Sequence, residues 1–331
     1  MGFREREKKR LSPLKPSLFS LSACIKGTYK SNPSYRDFCL NNEMSQENLH
    51  ELIRIDALKY FKEREIEWHD GIKNNPSNHL LCSQSFCVNS LFPFYYVKES
   101  LKNILKELNY DVKEVLKFEL DKGQIIKPGF IAFEWIGEKN YLKELKYGKV
   151  VSDKSRSRGK GFTSADFAIR FIDSNDCINI ILGEWKYSER YGTKSKQHSK
   201  SKTDRYNIYK DFLIKGGPII LNPTLHKALF FDPFDQLMRL QLLANEMETK
   251  HEMGARKVSV LHIAPKANED LMNNITSKEL VSIDNNIHKT WANIVDETRF
   301  KGIYTEDFLN TILLYSKDKS WQTYMKLRYT F

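Results

Sequence analysis

Asp166, Glu184 and Lys186 are the residues whose types and spacing could do chemistry. Asp166 closes the stretch Thr163-Ser164-Ala165-Asp166, and Glu184-Trp185-Lys186 ends the apolar run Ile180-Ile181-Leu182-Gly183. Two carboxylates beside an ammonium can hold a hard divalent cation, which prefers oxygen ligands. A bound cation lowers the pKa of its water and offsets charge that builds on a phosphoryl group. That chemistry requires the three side chains to meet.

The flanking sequence has the pattern to make them meet. Side chains in a strand repeat every two residues. Asp166, Ala168, Arg170 and Ile172 therefore share one face, and Ile178, Ile180, Leu182, Glu184 and Lys186 share another. Between them, Asp173-Ser174-Asn175-Asp176 is a cluster of turn formers. A hairpin centred on Asn175 sets Ile172 opposite Ile178, Ala168 opposite Leu182 and Asp166 opposite Glu184. Its other face then pairs Phe171 with Asn179, Ile169 with Ile181 and Ala165 with Trp185. A slip of one residue would send the two acids to opposite faces. In this register their Cβ atoms stand roughly 4.5–5.5 Å apart, where two bare carboxylates repel and one cation can bind both. Glu7-Lys8-Lys9, Glu144-Leu145-Lys146 and Glu248-Thr249-Lys250 repeat the Glu-x-Lys spacing without such a setting. The competing reading is an exposed strand with a Glu–Lys ion pair, worth under about 1 kcal/mol.

With Asp166 and the triplet Glu184-Trp185-Lys186, the chain resembles the PD-(D/E)XK nuclease superfamily, the restriction-endonuclease-like fold. Ala165 stands where the name-giving proline would be, and residues from Gly161 to about Lys266 follow the expected order of core elements. Ser83-Gln84 with Asn89 in one apolar helix, and Phe234-Asp235-Gln236-Leu237 opening another, resemble a little-characterised bacterial restriction-endonuclease-like branch. The resemblance implies that Asp166 and Glu184 bind Mg²⁺, with Mn²⁺ able to substitute, and that the Trp185 backbone carbonyl is a third ligand. It implies that Lys186 positions or helps deprotonate the attacking water, and that hydrolysis leaves a 5′-phosphate.

Further candidates surround this centre. Glu134, in the strand pattern of residues 130–136, is either an additional acid near the metal or a sheet-edge charge. Gln84 either touches a metal water or phosphate or satisfies neighbouring backbone. Gln236 and Arg239 are similar to the glutamine-bearing helix behind the site in some superfamily members, and Arg239 could equally lie on a solvated face. Lys154, Arg156, Arg158 and Lys160 precede Asp166, while Arg190 and Lys194 follow Lys186. Of these, Lys160, Arg190 and Lys194, with Arg239, are the candidates for gripping a phosphate backbone, a contact that positions nucleic acid without reading its sequence.

The composition agrees. A chain of 331 residues that is 40% apolar can bury a large core, and its net charge of +11 favours a polyanionic partner, double-stranded DNA first. Five cysteines show no CxxC pair, and no apolar run approaches membrane-spanning length. The expectation is a cytoplasmic protein with no membrane partner and a homodimer as candidate assembly. The expected fold is α/β: a restriction-endonuclease-like core with a central mixed sheet flanked by helices. Its expected divisions are a basic flexible arm (1–44), a helical N-terminal region (45–110), the nuclease core (111–270) and a C-terminal helical extension (271–331). The function expected is an Mg²⁺-dependent endodeoxyribonuclease of restriction or genome defence. The alternatives are a DNA-repair or structure-specific nuclease, or a non-catalytic nucleic-acid binder on the same scaffold.

Overall fold

The computed structural model describes residues 1–146, 148–159, 161–198, 203–214 and 217–331. Its strands are β1 (Gly27–Tyr29), β2 (Asn32–Arg36), β3 (Glu114–Leu116), β4 (Ile131–Trp135), β5 (Leu145–Lys146), β6 (Lys149–Val150), β7 (Ala165–Ile172), β8 (Ile178–Trp185), β9 (Lys257–Ala264) and β10 (Phe300–Tyr304). The helices are α1 (Phe3–Leu18), α2 (Glu51–Glu63), α3 (Ser83–Leu91), α4 (Lys98–Glu107), α5 (Tyr206–Ile214), α6 (Phe234–Thr249), α7 (Glu269–Met272), α8 (Ile287–Ala292), α9 (Thr305–Tyr315) and α10 (Lys319–Tyr329). Six strands form the central sheet. β10, β9, β8 and β7 lie side by side, and β3 and β4 share the far edge of β7. β8, β9 and β10 are mutually parallel, whereas β7 runs antiparallel to β8, β3 and β4. This is the expected α/β architecture, with a mixed sheet and helical regions at both ends.

Alternation along the strands builds a core on each face. Phe133, Phe167, Ile169, Ile181, Trp185 and Leu261 pack with α2, α3, α4, α9 and α10 on one side. Ala132, Ala168, Ile180, Leu182, Val258 and Val260 meet α5, α6 and α8 on the other. Helix α3 is buried on nearly every side, so its two amides need partners. Asn89 finds them: its Oδ1 accepts from the His50 amide at 2.8 Å, and its Nδ2 donates to the Asn48 carbonyl at 2.9 Å and Tyr329 Oη at 3.1 Å.

The β7–β8 register is as expected for Ile172↔Ile178, Phe171↔Asn179, Ile169↔Ile181 and Ala168↔Leu182, and the ladder runs on to Phe167↔Gly183. That last pair is tight. A Cβ on Gly183 would lie 2.0 Å from the Phe167 ring, and Phe167 is fully buried. Gly183→Ala is therefore expected to destabilise the protein by about 1–3 kcal/mol or more, as overpacking of a full core does. Chemical denaturation should show a lower midpoint with an unchanged slope.

Two expectations are corrected. The stretch expected to begin a flexible arm over 1–44 instead folds into α1 at residues 3–18, burying Phe3, Glu7, Leu11 and Lys15. Arg10 holds it to the chain end by donating to the Leu327 and Arg328 carbonyls at 3.0 and 2.7 Å. Helix α2 follows a 3₁₀ segment, Asn42–Asn48, and starts after His50, whose Nδ1 accepts from the Leu52 amide. Finally, the region 271–331 is not wholly helical, because β10 joins the central sheet beside β9.

Candidate active site

Three adjacent strands bring carboxylates to one level. Beyond Phe167↔Gly183 the β7–β8 ladder opens, and the next residues are Asp166 and Glu184. Here Asp166 reaches across, its Oδ2 accepting from the Trp185 amide at 2.6 Å. On the opposite edge of β7, the pairs Phe133↔Phe167 and Trp135↔Ala165 bracket Glu134, which thus stands level with Asp166. Glu134 has a positive φ of 51°, a conformation that costs a non-glycine residue energy and gathers at functional sites. It breaks the strand alternation, since Phe133 belongs to one core and Trp135 packs against the other. The Glu134 carboxylate is held by two donors, Gln84 Nε2 at 2.7 Å and Ser164 Oγ at 2.9 Å.

The acids strain one another electrically. Burial, and then repulsion from Glu184 and Glu134, raises the Asp166 pKa well above the ordinary carboxylate range. Burial also lifts Glu134 to about 7, against the pull of Gln84 and Ser164 and with a contribution from Glu184. Such a group of carboxylates gains from a nearby cation. Among the described residues no three or more His, Cys, Asp or Glu side chains form a ready metal cage. Gln84 and Ser164 donate to the Glu134 oxygens, and Lys186 donates to Glu184 Oε1. As a pair of carboxylates, Asp166 and Glu184 are the donor type taken by a hard cation that keeps several waters, such as Mg²⁺.

Lys186 completes the group. Its amide donates to the Ile263 carbonyl at 2.8 Å, extending the β8–β9 alignment one residue past the strand end. Lys186 is only 4% exposed, so its charge must be matched. The Nζ donates to Glu184 Oε1 and to Gln236 Oε1, the latter at 2.6 Å, and the Tyr191 hydroxyl also donates to Gln236 Oε1 at 3.2 Å. Burial disfavours the ammonium, but Glu184 above all outweighs this and holds the Lys186 pKa well above its usual value. Lys186 therefore remains a cation at neutral pH.

Of the outlying candidates, Gln84 and Gln236 join the centre. Gln84 is fixed at both ends of its amide, since its Oε1 accepts from the His69 amide at 2.8 Å while its Nε2 also reaches the Glu67 carbonyl at 3.3 Å. It both contacts an acid and satisfies backbone. Gln84→Ala is expected to keep the fold and lower any activity of the acid group roughly 10–100-fold, as loss of an outer partner that orients a ligand does; steady-state cleavage rates with a melting curve would check it. Arg239 is engaged elsewhere, donating to Thr163 Oγ1 at 3.1 Å and to Asp235 Oδ2 at 3.3 Å. Arg190 and Lys194 are exposed, and Lys160 lies outside the described residues.

The loop before Asp166 differs from its basic appearance. Arg156 donates to the Ile136 and Gly137 carbonyls at 2.7 and 2.8 Å. Arg158 donates to the Glu134 carbonyl at 3.1 Å and the Tyr60 hydroxyl at 3.1 Å, and pairs with Glu119 at 2.6 Å. Both are turned inward, where they fix the end of β4 that carries Glu134. Sequence reasoning missed this and the roles of Ser164 and Tyr191. For Ser164 a signal existed, because it lies two residues before Asp166 and so on the same strand face. Nor did anything in the sequence mark His262, which pairs in register with Glu184, is fully buried, and shares a 2.8 Å hydrogen bond with His288.

Residues 9–330 match the model of one family, described as restriction endonuclease associating with ARP. No curated protein matches the chain, and neither does any solved structure.

Proposed function

This chain belongs to the family of restriction endonucleases associating with ARP, and from that premise we propose that it is an Mg²⁺-dependent endodeoxyribonuclease acting in restriction or genome defence. The family suggests a nuclease. The observation that carries the finer reading is the single level of Glu134, Asp166 and Glu184 across β4, β7 and β8, with Lys186 bound between Glu184 and Gln236.

Asp166 and Glu184 would hold the cation, which supplies an acidified water and offsets charge on the phosphoryl oxygens. The protein's own residues do the rest. Gln236 and Glu184 fix the Lys186 ammonium, and because its pKa is held high it acts by charge and by donation. It orients the attacking water and faces the phosphate negative charge, in a site whose dipoles need no reorganisation. Gln84 and Ser164 hold Glu134 beside the pair, where it can accept a hydrogen bond from a water. Water oxygen bonds to phosphorus and gives up a proton to solvent, the P–O3′ bond breaks and O3′ takes a proton from solvent, so the products are a 5′-phosphate and a 3′-hydroxyl.

The test is incubation of unmethylated plasmid and phage DNA with the purified protein, in Mg²⁺ and in chelator. Discrete fragments only in Mg²⁺ are expected. A smear would point to a less selective nuclease, and binding without cleavage across Mg²⁺ and Mn²⁺ would give preference to a non-catalytic binder.

A further inference from the structure

The hairpin β1–β2 shares a cleft with Ser188 and Glu189, just after Lys186, and its composition is not that of a buried element. Residues 27–36, Gly-Thr-Tyr-Lys-Ser-Asn-Pro-Ser-Tyr-Arg, contain two cations, no acid and a series of hydroxyl and amide groups. Lys30 to Tyr35 are all exposed, and Tyr35 is 72% exposed. A two-stranded hairpin is marginal by itself, and this one buries little along β2.

Its base is nonetheless fixed. The Thr28 amide donates to Asn42 Oδ1 at 2.9 Å, Asn78 Nδ2 donates to the Thr28 carbonyl at 3.0 Å, and a Cβ on Gly27 would meet the Leu40 carbonyl at 1.9 Å. The turn is tied to Asp70. Tyr29 Oη donates to Asp70 Oδ2 at 2.7 Å, and Lys30 Nζ lies 3.0 Å from the same oxygen. Asp70 follows His69, whose amide holds Gln84, the partner of Glu134. A cleft of about 200 Å³ is shared by the hairpin turn and the segment after Lys186, with Arg4, Lys30, His69, Ser83, Ser188 and Glu189 in its lining. Ser188 and Glu189 follow Lys186 by two and three residues.

We propose that the hairpin β1–β2 is a ribbon that contacts duplex DNA and seats it over the acid group, an inference that rests on the nuclease reading. The B-form major groove, roughly 12 Å wide, admits a two-stranded β-ribbon, and its base edges carry the donors and acceptors that tyrosine, serine and asparagine complement. The major groove of A-form RNA is too narrow for side chains to read. Lys30 at the turn meets the phosphate backbone, and Tyr35 faces the groove.

The experiment compares the full chain with Lys30→Gln and Tyr35→Ala, both at exposed positions. It measures binding of duplex DNA in Ca²⁺ across a salt series, and cleavage in Mg²⁺. Lys30→Gln is expected to reduce the slope of log affinity against log salt by about 0.9, one phosphate contact. Tyr35→Ala is expected to weaken binding about tenfold with the slope unchanged. If wild type binds and cuts duplex DNA while both variants match it, the hairpin proposal alone is overturned. Equal losses on single-stranded DNA or duplex RNA would overturn the duplex assignment. If wild type neither binds nor cuts DNA, the nuclease reading falls first and this proposal with it.

Discussion

Glu184→Gln and Lys186→Met are each expected to reduce Mg²⁺-dependent DNA cleavage by roughly 10²- to 10³-fold or more, the effect of removing one preorganised electrostatic partner. The two variants fail for different reasons. Glu184→Gln keeps the side-chain volume and an oxygen for Lys186, but removes the charge a cation needs. Lys186→Met keeps the cation ligands and removes the donor that orients water. Both groups are buried, at 6% and 4% exposure. Breaking a buried pair by removing one partner costs about 3–5 kcal/mol, whereas replacing both is often neutral. A double variant with apolar residues at both positions, Glu184→Leu/Lys186→Met, should therefore regain much of the lost melting temperature and none of the activity. Thermal melts, duplex binding and cleavage on the same three proteins separate chemistry from folding. Cleavage that survives in all three, with contaminating nuclease excluded, would remove Glu184 and Lys186 from the mechanism.

The parts of this site that were legible in the sequence are those governed by local rules. The β7–β8 hairpin follows from period-two alternation and a turn of Asp, Ser and Asn residues, which together leave one register that keeps both faces consistent. The rest depends on long-range burial. The level of Glu134 was hidden because a left-handed residue within a strand leaves no mark in residue type. Arg156 and Arg158 read as a solvated basic loop, since nothing local announces the buried carbonyls and Glu119 that draw them inward. Helix α1 was obscured by Pro13 and Pro16 and by a buried face that includes Glu7 and Lys15. Strand β10 was obscured by Gly302, whose place in the sheet is explained by the His288 ring, 2.4 Å from where a Cβ would sit. In each case the deciding partner lies far away in sequence.

Stability of the metal-free protein is expected to fall as pH rises through the weakly acidic range, and Mg²⁺ to reverse that fall at neutral pH. The sign follows from the raised carboxyl pKa values. A folded state that holds protons more tightly than the unfolded chain is favoured at low pH and loses that advantage as pH rises. For Glu134 the interval runs from its ordinary 4.5 to about 7, worth on the order of 3 kcal/mol. Asp166 moves in the same direction, for burial first and repulsion from Glu184 second. Above that interval Glu134 is ionised and adds its charge to the acid group, which is the state that gains most from a divalent cation. At a hundredfold excess over its Kd, such a ligand stabilises by about 2.7 kcal/mol, a rise of several degrees in melting temperature for a chain of this size. Melting curves at pH 5 and pH 7.5, with and without Mg²⁺, should show a large Mg²⁺ shift only at the higher pH. Asp166→Asn should abolish that shift and flatten the pH dependence of the metal-free protein. A Mg²⁺ shift of equal size at both pH values, or one retained in Asp166→Asn, would mean that the ion binds elsewhere and that the acids at this level are held apart for another purpose.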